Sequence, residues 1–172
     1  MSTVRRVEAS DLPALSGAFP ESPGAPGSRH ARRLRRQRAG LITYLAAWDG
    51  QAPVGHVYVR WPVDSANLTD QGRSLGCAEI GDLLVLERAR GRGIGRQLME
   101  AAVELVRERG IGQVGLEVAA YNPQQDAARV LYRKLGFEES SFGQFTSGYT
   151  YWDRDGNQHR DEELHCYLVK EL

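Results

Sequence analysis

The 172-residue sequence lacks several features that would each point to a particular class of protein. It has no excess of positive charge, because 22 Lys and Arg balance 22 Asp and Glu, so we expect neither nucleic acid nor acidic membranes as partners. It has no apolar run long enough to cross a bilayer, and its first residues lack the apolar stretch of a signal peptide. The sequence favours one cytoplasmic domain over residues 1–172.

Cysteine is also scarce. The two cysteines, Cys77 and Cys166, are far apart and match no metal-binding or redox spacing. The four histidines have no zinc-like spacing either. We therefore expect two buried free thiols in a reducing compartment, and no metal cofactor.

Patterns typical of strands and helices alternate along the chain. Strands are predicted at 4–7, 41–48, 54–61, 78–86 and 114–120, with two final strands around a turn at 153–156. Helices are predicted at 11–19 with Ser10 as the cap, at 28–38, at 94–109, and from Asn122-Pro123 to Gly136. Loops are predicted at 20–27 and 64–76. This order predicts an α/β or α+β fold with a mixed sheet.

A glycine- and arginine-rich turn joins the predicted strand at 78–86 to the following helix. Its sequence is Arg90-Gly-Arg-Gly-Ile-Gly95, and residues 88–97 contain no Ser, Thr, Asp or Asn to cap the helix. Alternating glycines and an uncapped helix start favour a phosphate or pyrophosphate ligand, although a plain tight turn with solvated arginines is the alternative. The spacing fits neither a P-loop nor a dinucleotide-binding fingerprint.

Two segments that follow the glycine-rich turn form, together with it, a set of three sequence motifs. The three stretches are LLVLERARGRGIGRQL at 83–98, LEVAAYN at 116–122 and LYRKLGF at 131–137. Together they resemble the GNAT superfamily of N-acetyltransferases, whose coenzyme A motif Arg/Gln-x-x-Gly-x-Gly/Ala is matched by Arg90, Gly93 and Gly95. The resemblance is good over 41–137 and departs at Glu87, where many members have proline.

The resemblance implies a GNAT-like single domain with a mixed, splayed β-sheet flanked by helices, and acetyl-CoA as the co-substrate. The pantetheine arm would lie between the strands at 78–86 and 114–120, with the pyrophosphate on the turn. Asn122 would contact the arm, cap the helix before Pro123, or do both. The cofactor-binding residues implied are Leu83, Leu84, Val85, Arg90, Gly91, Arg92, Gly93, Ile94, Gly95, Arg96 and Asn122.

Acetyl transfer to an amine requires a proton acceptor and a proton donor. Glu79 is the first candidate for the acceptor, because a carboxylate on a central apolar strand is costly unless it is used or paired with an arginine. The resemblance also places it where some members carry a glutamate base; Asp82, Glu117 and water are the alternatives. Tyr132 falls where the family usually carries a tyrosine near the coenzyme sulfur, and a core tyrosine is the alternative. The oxyanion is assigned to the Val85 N–H.

The function implied is transfer of an acetyl group from acetyl-CoA to a primary amine of a small molecule, by direct attack in a ternary complex. Acetylation of a protein N-terminus or lysine is one alternative, and a non-catalytic domain that senses acyl-CoA is another. The arginines of 29–38 indicate a solvated helix face, or a wall that meets an acidic group on the acceptor. Family members often form homodimers. The acceptor is set by loops, so its identity is not predicted.

Overall fold

A seven-stranded mixed sheet organises the protein. The structure is a computed structural model that describes residues 2–21, 25 and 27–172. Among the described residues, the strand order is β1-β2-β3-β4-β5-β7-β6, with β4 and β5 parallel and every other neighbouring pair antiparallel. The strands are β1 (Ser2–Arg6), β2 (Ile42–Asp49), β3 (Ala52–Arg60), β4 (Ala78–Val85), β5 (Gln113–Ala119), β6 (Glu138–Trp152) and β7 (Gln158–Glu171). The predicted mixed sheet and final hairpin are confirmed.

Helices lie on both faces of this sheet. They are α1 (Leu12–Ala18), α2 (Arg29–Arg38), α3 (Asp70–Leu75), α4 (Ile94–Glu108) and α5 (Asp126–Lys134). Short 3-10 turns occur at Ala9–Asp11, Ser65–Asn67, Glu87–Ala89 and Pro123–Gln125. Among the described residues, no helix has the length and apolar character needed to cross a membrane.

The two faces of the sheet bury different clusters. On one face, α4 turns its stripe of Leu98, Ala102 and Val106 onto alternate residues of the central strands, as its helical spacing predicts. On the other face, α1 contributes Leu15 to a smaller cluster with Tyr44 and other residues of β2. This second face is the one that carries the polar site described below.

Two predictions about the first half of the chain are wrong. Ser10 does not cap α1: a 3-10 turn begins at Ala9, and the Asp11 carboxylate, held by Arg5 at 2.7 Å, accepts the Glu8 N–H at 2.8 Å. A buried carboxylate anchored by a guanidinium is the stronger capping group here. Of the loop predicted at 20–27, residues 22–24 and 26 lie outside the described residues.

The predicted loop at 64–76 is also wrong, because it contains α3. The Thr69 hydroxyl caps this helix by accepting the Gly72 N–H at 3.1 Å, and Gly76 ends it with a φ of +61°. Both signals are present in the sequence, but the segment has little apolar periodicity. Its tertiary contacts with β4, rather than a hydrophobic stripe, stabilise the helix.

The parallel strands β4 and β5 separate soon after they meet. They pair only at Ala78–Val114 and Glu79–Gly115. Next to this point the register between β3 and β4 shifts, and Asp82 adopts a left-handed φ of +51°. A bulge of this kind bends a strand away from its neighbour, which explains the gap between β4 and β5. The splayed sheet predicted from the resemblance is confirmed.

Candidate active site

The glycine-rich turn starts α4 without a side-chain cap. Gly91 and Gly93 have φ values of +75° and +77°, a left-handed region in which other residues are strained. The first bond within the helix runs from the Gln97 N–H to the Gly93 carbonyl at 3.0 Å. The amides of Ile94 to Arg96 therefore precede the intrahelical ladder and can donate to an anion at the positive end of the helix.

The arginines of the turn are exposed and only loosely engaged. Arg92 pairs with Asp49 and Arg96 with Glu100, both at 2.8 Å, and Arg90 Nε donates to the Val85 carbonyl at 3.3 Å. Exposed ion pairs of this kind contribute little to stability, so they exchange readily for a stronger anionic partner.

The backbone of β4 presents donors to the gap beside β5. The Leu86 N–H donates to the Val54 carbonyl of β3 at 2.9 Å. Successive amides of a strand point to opposite sides, so the Val85 and Leu83 N–H groups point away from β3 and into the gap. By the same alternation the Leu84 N–H points toward β3.

A cleft of about 460 Å³ opens on the second face of the sheet. Its walls come from strands β3 to β7 and the segments that connect them. The lining residues are Tyr58, Arg60, Thr69, Glu79, Ile80, Gly81, Asp82, Glu117, Ala119, Asn122, Gln125, Tyr149, Glu163 and His165. The predicted candidates Glu79, Asp82, Glu117 and Asn122 are thus brought together.

Glu79 is 2% exposed, and three donors hold its carboxylate. It accepts the Thr69 N–H at 2.9 Å, the Thr69 hydroxyl, and the Tyr167 hydroxyl at 3.0 Å. Arg60 Nη1 lies 3.6 Å away. A Cβ on Gly72 would collide with this carboxyl group, so α3 approaches closely because it has glycine there. The pairing with an arginine, one of the two interpretations of Glu79, is present.

Asp82 lies at the β4 bulge, and its carboxylate is bound by a side chain of α2. The Arg33 guanidinium of α2 donates to its carboxylate. Burial alone would raise the pKa of Asp82, but the charge of Arg33 and its hydrogen bond outweigh burial, and the pKa of Asp82 is lowered. His56 Nδ1 lies 3.9 Å from Asp82, yet burial lowers the pKa of His56 to about 3. His56 is therefore neutral near pH 7, and this contact is not a salt bridge.

Glu117 occupies the opposite wall of the cleft and has a freer carboxylate. It accepts the Ser147 hydroxyl at 3.2 Å and forms no ion pair with Lys or Arg within the described chain. Burial raises the pKa of Glu117, and the Ser147 hydrogen bond opposes this change. A half-buried carboxylate with a raised pKa is better suited to accept a proton than one fixed by several donors.

Tyr132 lies on α5 with its ring packed against Phe137 at 6.1 Å between centroids. Burial raises its pKa to about 12, so the hydroxyl keeps its proton at neutral pH. No group in the described ranges hydrogen-bonds to this hydroxyl.

Asn122 precedes the 3-10 turn before α5, and its Nδ2 donates to Glu163 at 3.4 Å. The helix predicted from Pro123 thus starts as a 3-10 turn and becomes α-helical at Asp126.

Several cleft residues were not identified from the sequence. Arg60 and Thr69 surround Glu79, and Glu163 and His165 of β7 form the wall next to Tyr149. Alternation along β7 places 161, 163, 165 and 167 on one face, and this period of two is the signal that could have located the wall. Tyr149 lines the cleft and is 50% exposed.

The chain is similar to known acetyltransferases. A model of the Acetyltransferase (GNAT) family matches residues 7–137. Streptothricin acetyltransferase of Streptomyces lavendulae is 32% identical over 125 residues, 73% of this chain and 58% of that protein. Mycothiol acetyltransferase of Rhodococcus jostii (strain RHA1) is 32% identical over 119 residues, 65% of this chain and 36% of that protein. The aligned region is thus less than two thirds of either relative.

A solved structure shows the same fold at low identity. The GNAT superfamily phosphinothricin acetyltransferase of Sinorhizobium meliloti, in complex with AcCoA, superposes with a TM-score of 0.65 and 20% identity. The superposition covers 99% of this chain and 88% of that one. With a family model that matches most of its length, the chain belongs to the acetyltransferase (GNAT) family.

Proposed function

We propose that this protein transfers an acetyl group from acetyl-CoA to a primary amine of a small molecule, by direct attack in a ternary complex. One observation carries the proposal: the uncapped start of α4 lies beside the gap between β4 and β5, and the cleft opens at that gap. An anion site, a slot with backbone donors and an acceptor cavity are thereby contiguous.

The residues of the turn and slot fit acetyl-CoA. The amides of 94–96 would hold the pyrophosphate, with Arg90, Arg92 and Arg96 around it and Gly91 and Gly93 leaving the approach free of side chains. Leu83 and Val85 would bond the pantetheine arm, with Leu84 between them and Asn122 on the facing side. When bound, acetyl-CoA supplies an activated acetyl thioester.

The proton acceptor for the amine is a carboxylate of the cleft. Glu79 and Glu117 are the candidates, and we favour Glu117, because Glu79 is engaged by Thr69, Tyr167 and Arg60 whereas Glu117 accepts one hydrogen bond. The raised pKa of Glu117 strengthens it as a base. The Val85 N–H would stabilise the developing oxyanion.

Tyr132 is the proton donor for the departing thiolate. Its hydroxyl is protonated at neutral pH and has no competing partner in the described chain. Neither cysteine suits an acetyl-enzyme route, because burial raises the pKa of both Cys77 and Cys166. We therefore favour direct attack of the amine on the acetyl thioester over an acetyl-cysteine intermediate.

A small-molecule acceptor agrees with the relatives, whose names refer to streptothricin, mycothiol and phosphinothricin. The cleft of about 460 Å³ is of a size that takes a small ligand. Acetylation of a protein N-terminus or of a lysine side chain that enters the same cleft is the alternative. Thiol-release assays with peptides distinguish the two.

Two linked measurements test the proposal. Acetyl-CoA at about 100 times its dissociation constant should raise the melting temperature by roughly 5–10 °C through mass action, and acetyl-pantetheine, which lacks the pyrophosphate, should not. Thiol release is then measured with small amines, N-terminal peptides and lysine peptides. No thermal shift would contradict cofactor binding, and a shift without thiol release for any amine would favour an acyl-CoA sensor.

A further inference from the structure

We infer that the acceptor carries a second positive charge besides the amine that is acetylated, as a diamine does, and that Glu163 and Asp161 of β7 bind it. This inference rests on the proposed function, since it concerns the same cleft. Arginines already neutralise some of the carboxylates in and beside the cleft, and others have no arginine or lysine partner in the described chain.

The carboxylates on the β4 side of the cleft have cationic partners. Glu79 lies 3.6 Å from Arg60, and Asp82 accepts a hydrogen bond from Arg33. Each guanidinium thus offsets one carboxylate, and this wall contributes no net charge. The arginines are also committed to these partners, so this wall does not favour an acceptor with a carboxylate.

The carboxylates on the β5 and β7 side have no such partners. Glu117, Glu163 and Asp161 form no ion pair with a lysine or arginine anywhere in residues 2–21, 25 and 27–172. Among the described residues, His165 Nε2 lies 3.8 Å from Glu163, and the charge of Arg60 reaches Glu117 without forming an ion pair with it. This wall is therefore negative near neutral pH, and it attracts cations into the cleft.

The strands place these groups around an exposed aromatic ring. Ser147 is opposite Glu163 and Tyr149 is opposite Asp161 in the β6–β7 register. Directly opposed residues share one face of a sheet, so the Tyr149 ring and both carboxylates face the cleft side together. The Tyr149 hydroxyl lies 3.5 Å from Asp161 and its ring is half exposed.

An ammonium group would gain from each of these features. It can lie over the face of the Tyr149 ring and pair with Glu163 or Asp161 at the same time. The Nδ1 of His165, a lining residue, is buried without a hydrogen-bond partner among the described residues. The amine to be acetylated would reach Glu117 deeper in the same cleft.

The test compares the binding of three five-carbon ligands to the CoA-saturated protein: 1,5-diaminopentane, 5-aminopentanol and 5-aminopentanoate. Each has an amine at one end, and they differ in the group at the other end, which is an ammonium, a hydroxyl or a carboxylate. Calorimetry should give the diamine a dissociation constant roughly fivefold to tenfold below that of the amino alcohol, and the amino acid should bind most weakly. Raising the ionic strength from about 0.1 M to about 1 M shortens the screening length to about 3 Å and should abolish the preference.

Glu163→Gln should remove most of the preference for the diamine, and Glu162→Gln is the matched control. Glu162 is adjacent in sequence, points to the opposite face of β7 and lies 3.6 Å from Arg160. Equal affinity for the three ligands, equal loss in both variants, or no binding of the diamine would overturn the inference. If acetyl-CoA still stabilises the protein in those cases, the proposed function stands; loss of that stabilisation contradicts the proposed function instead.

Discussion

The two sides of the gap between β4 and β5 are built in different ways. The cofactor side is one continuous segment, in which 83–96 supplies strand amides, a glycine turn and a helix start. The cleft side is assembled from residues as distant as Tyr58 and His165. Under the proposed function, coenzyme recognition would be local and would use mainly backbone groups, whereas acceptor recognition would depend on side chains that only the tertiary fold brings together.

The largest effect on kcat is expected when the proposed base, Glu117, is replaced. This variant tests whether a side chain on the cleft side takes the proton from the amine. Glu117→Gln should lower kcat by about 10²–10⁴ and leave the affinity for acetyl-CoA unchanged. Since burial raises the pKa of Glu117, the acidic limb of the pH–rate profile should lie above the ordinary glutamate range and vanish in the variant.

Glu79→Gln is the matched comparison. An amide there would face the Thr69 and Tyr167 donors and leave Arg60 without its carboxylate, so unfolding should become easier by roughly 1–3 kcal/mol while kcat changes little. The reverse pattern, in which Glu79→Gln loses the rate and Glu117→Gln keeps it, would identify Glu79 as the base.

Tyr132→Phe should lower kcat by about 10², the lower end of the range for general acid catalysis. Stability should barely change, because the hydroxyl has no hydrogen-bond partner in the described chain and the ring packing is retained. The wild-type rate should show no loss from this group up to about pH 10, given its pKa of about 12. A fully active variant would make Tyr132 a core tyrosine.

Acid should destabilise the second face of the sheet through the buried histidines that pack near Tyr44. His56 has a pKa of about 3 in the folded protein and about 6.5 in the unfolded chain. Between these pH values the unfolded chain binds more protons, so the free energy of unfolding decreases as the pH is lowered. Between pH 7 and pH 5 the loss should be about 2 kcal/mol, and His56→Leu should remove it. Part of the acid sensitivity should persist, because burial also lowers the pKa of His30. A variant with unchanged acid sensitivity would contradict this account.

The smallest effect concerns the turn. Gly93→Ala should raise the dissociation constant for acetyl-CoA by about tenfold, because a methyl group enters the anion cradle and strains the left-handed backbone. Gly110→Ala is the control: its φ is +69° against +77° for Gly93, and a Cβ meets no atom within 4 Å at either site. Both variants should lose similar stability, and only Gly93→Ala should lose affinity. Equal affinities would make the turn purely structural.

The sequence predicts the conformation of the turn at 90–95 and the start of α4 well because their signals are local, while the cofactor role of these residues stays a prediction. The glycine spacing, the absent cap and the stripe of α4 can all be read within one short segment, and the structure contains each of them. Tyr132 also lies on the helix predicted for it. The splay between β4 and β5 followed from the family resemblance, while its physical cause at Asp82 was unforeseen.

The cleft side was only partly predictable, for a physical reason. Glu79 is recognisable as a carboxylate on an apolar strand, but its donors Thr69 and Tyr167 come from α3 and β7, and no local pattern links them. The helix α3 itself lacks a hydrophobic stripe and was predicted as a loop. Long-range contacts of this kind decide which carboxylates are neutralised, and so which one is free to act.

Initial rates with both substrates varied test the central claim most directly, because the two sides of the gap must be occupied together for direct transfer. Double-reciprocal plots at several fixed amine concentrations should intersect, as a ternary complex requires. Parallel lines, accompanied by an acetyl group on Cys77 or Cys166 in mass spectra of protein treated with acetyl-CoA alone, would contradict the account.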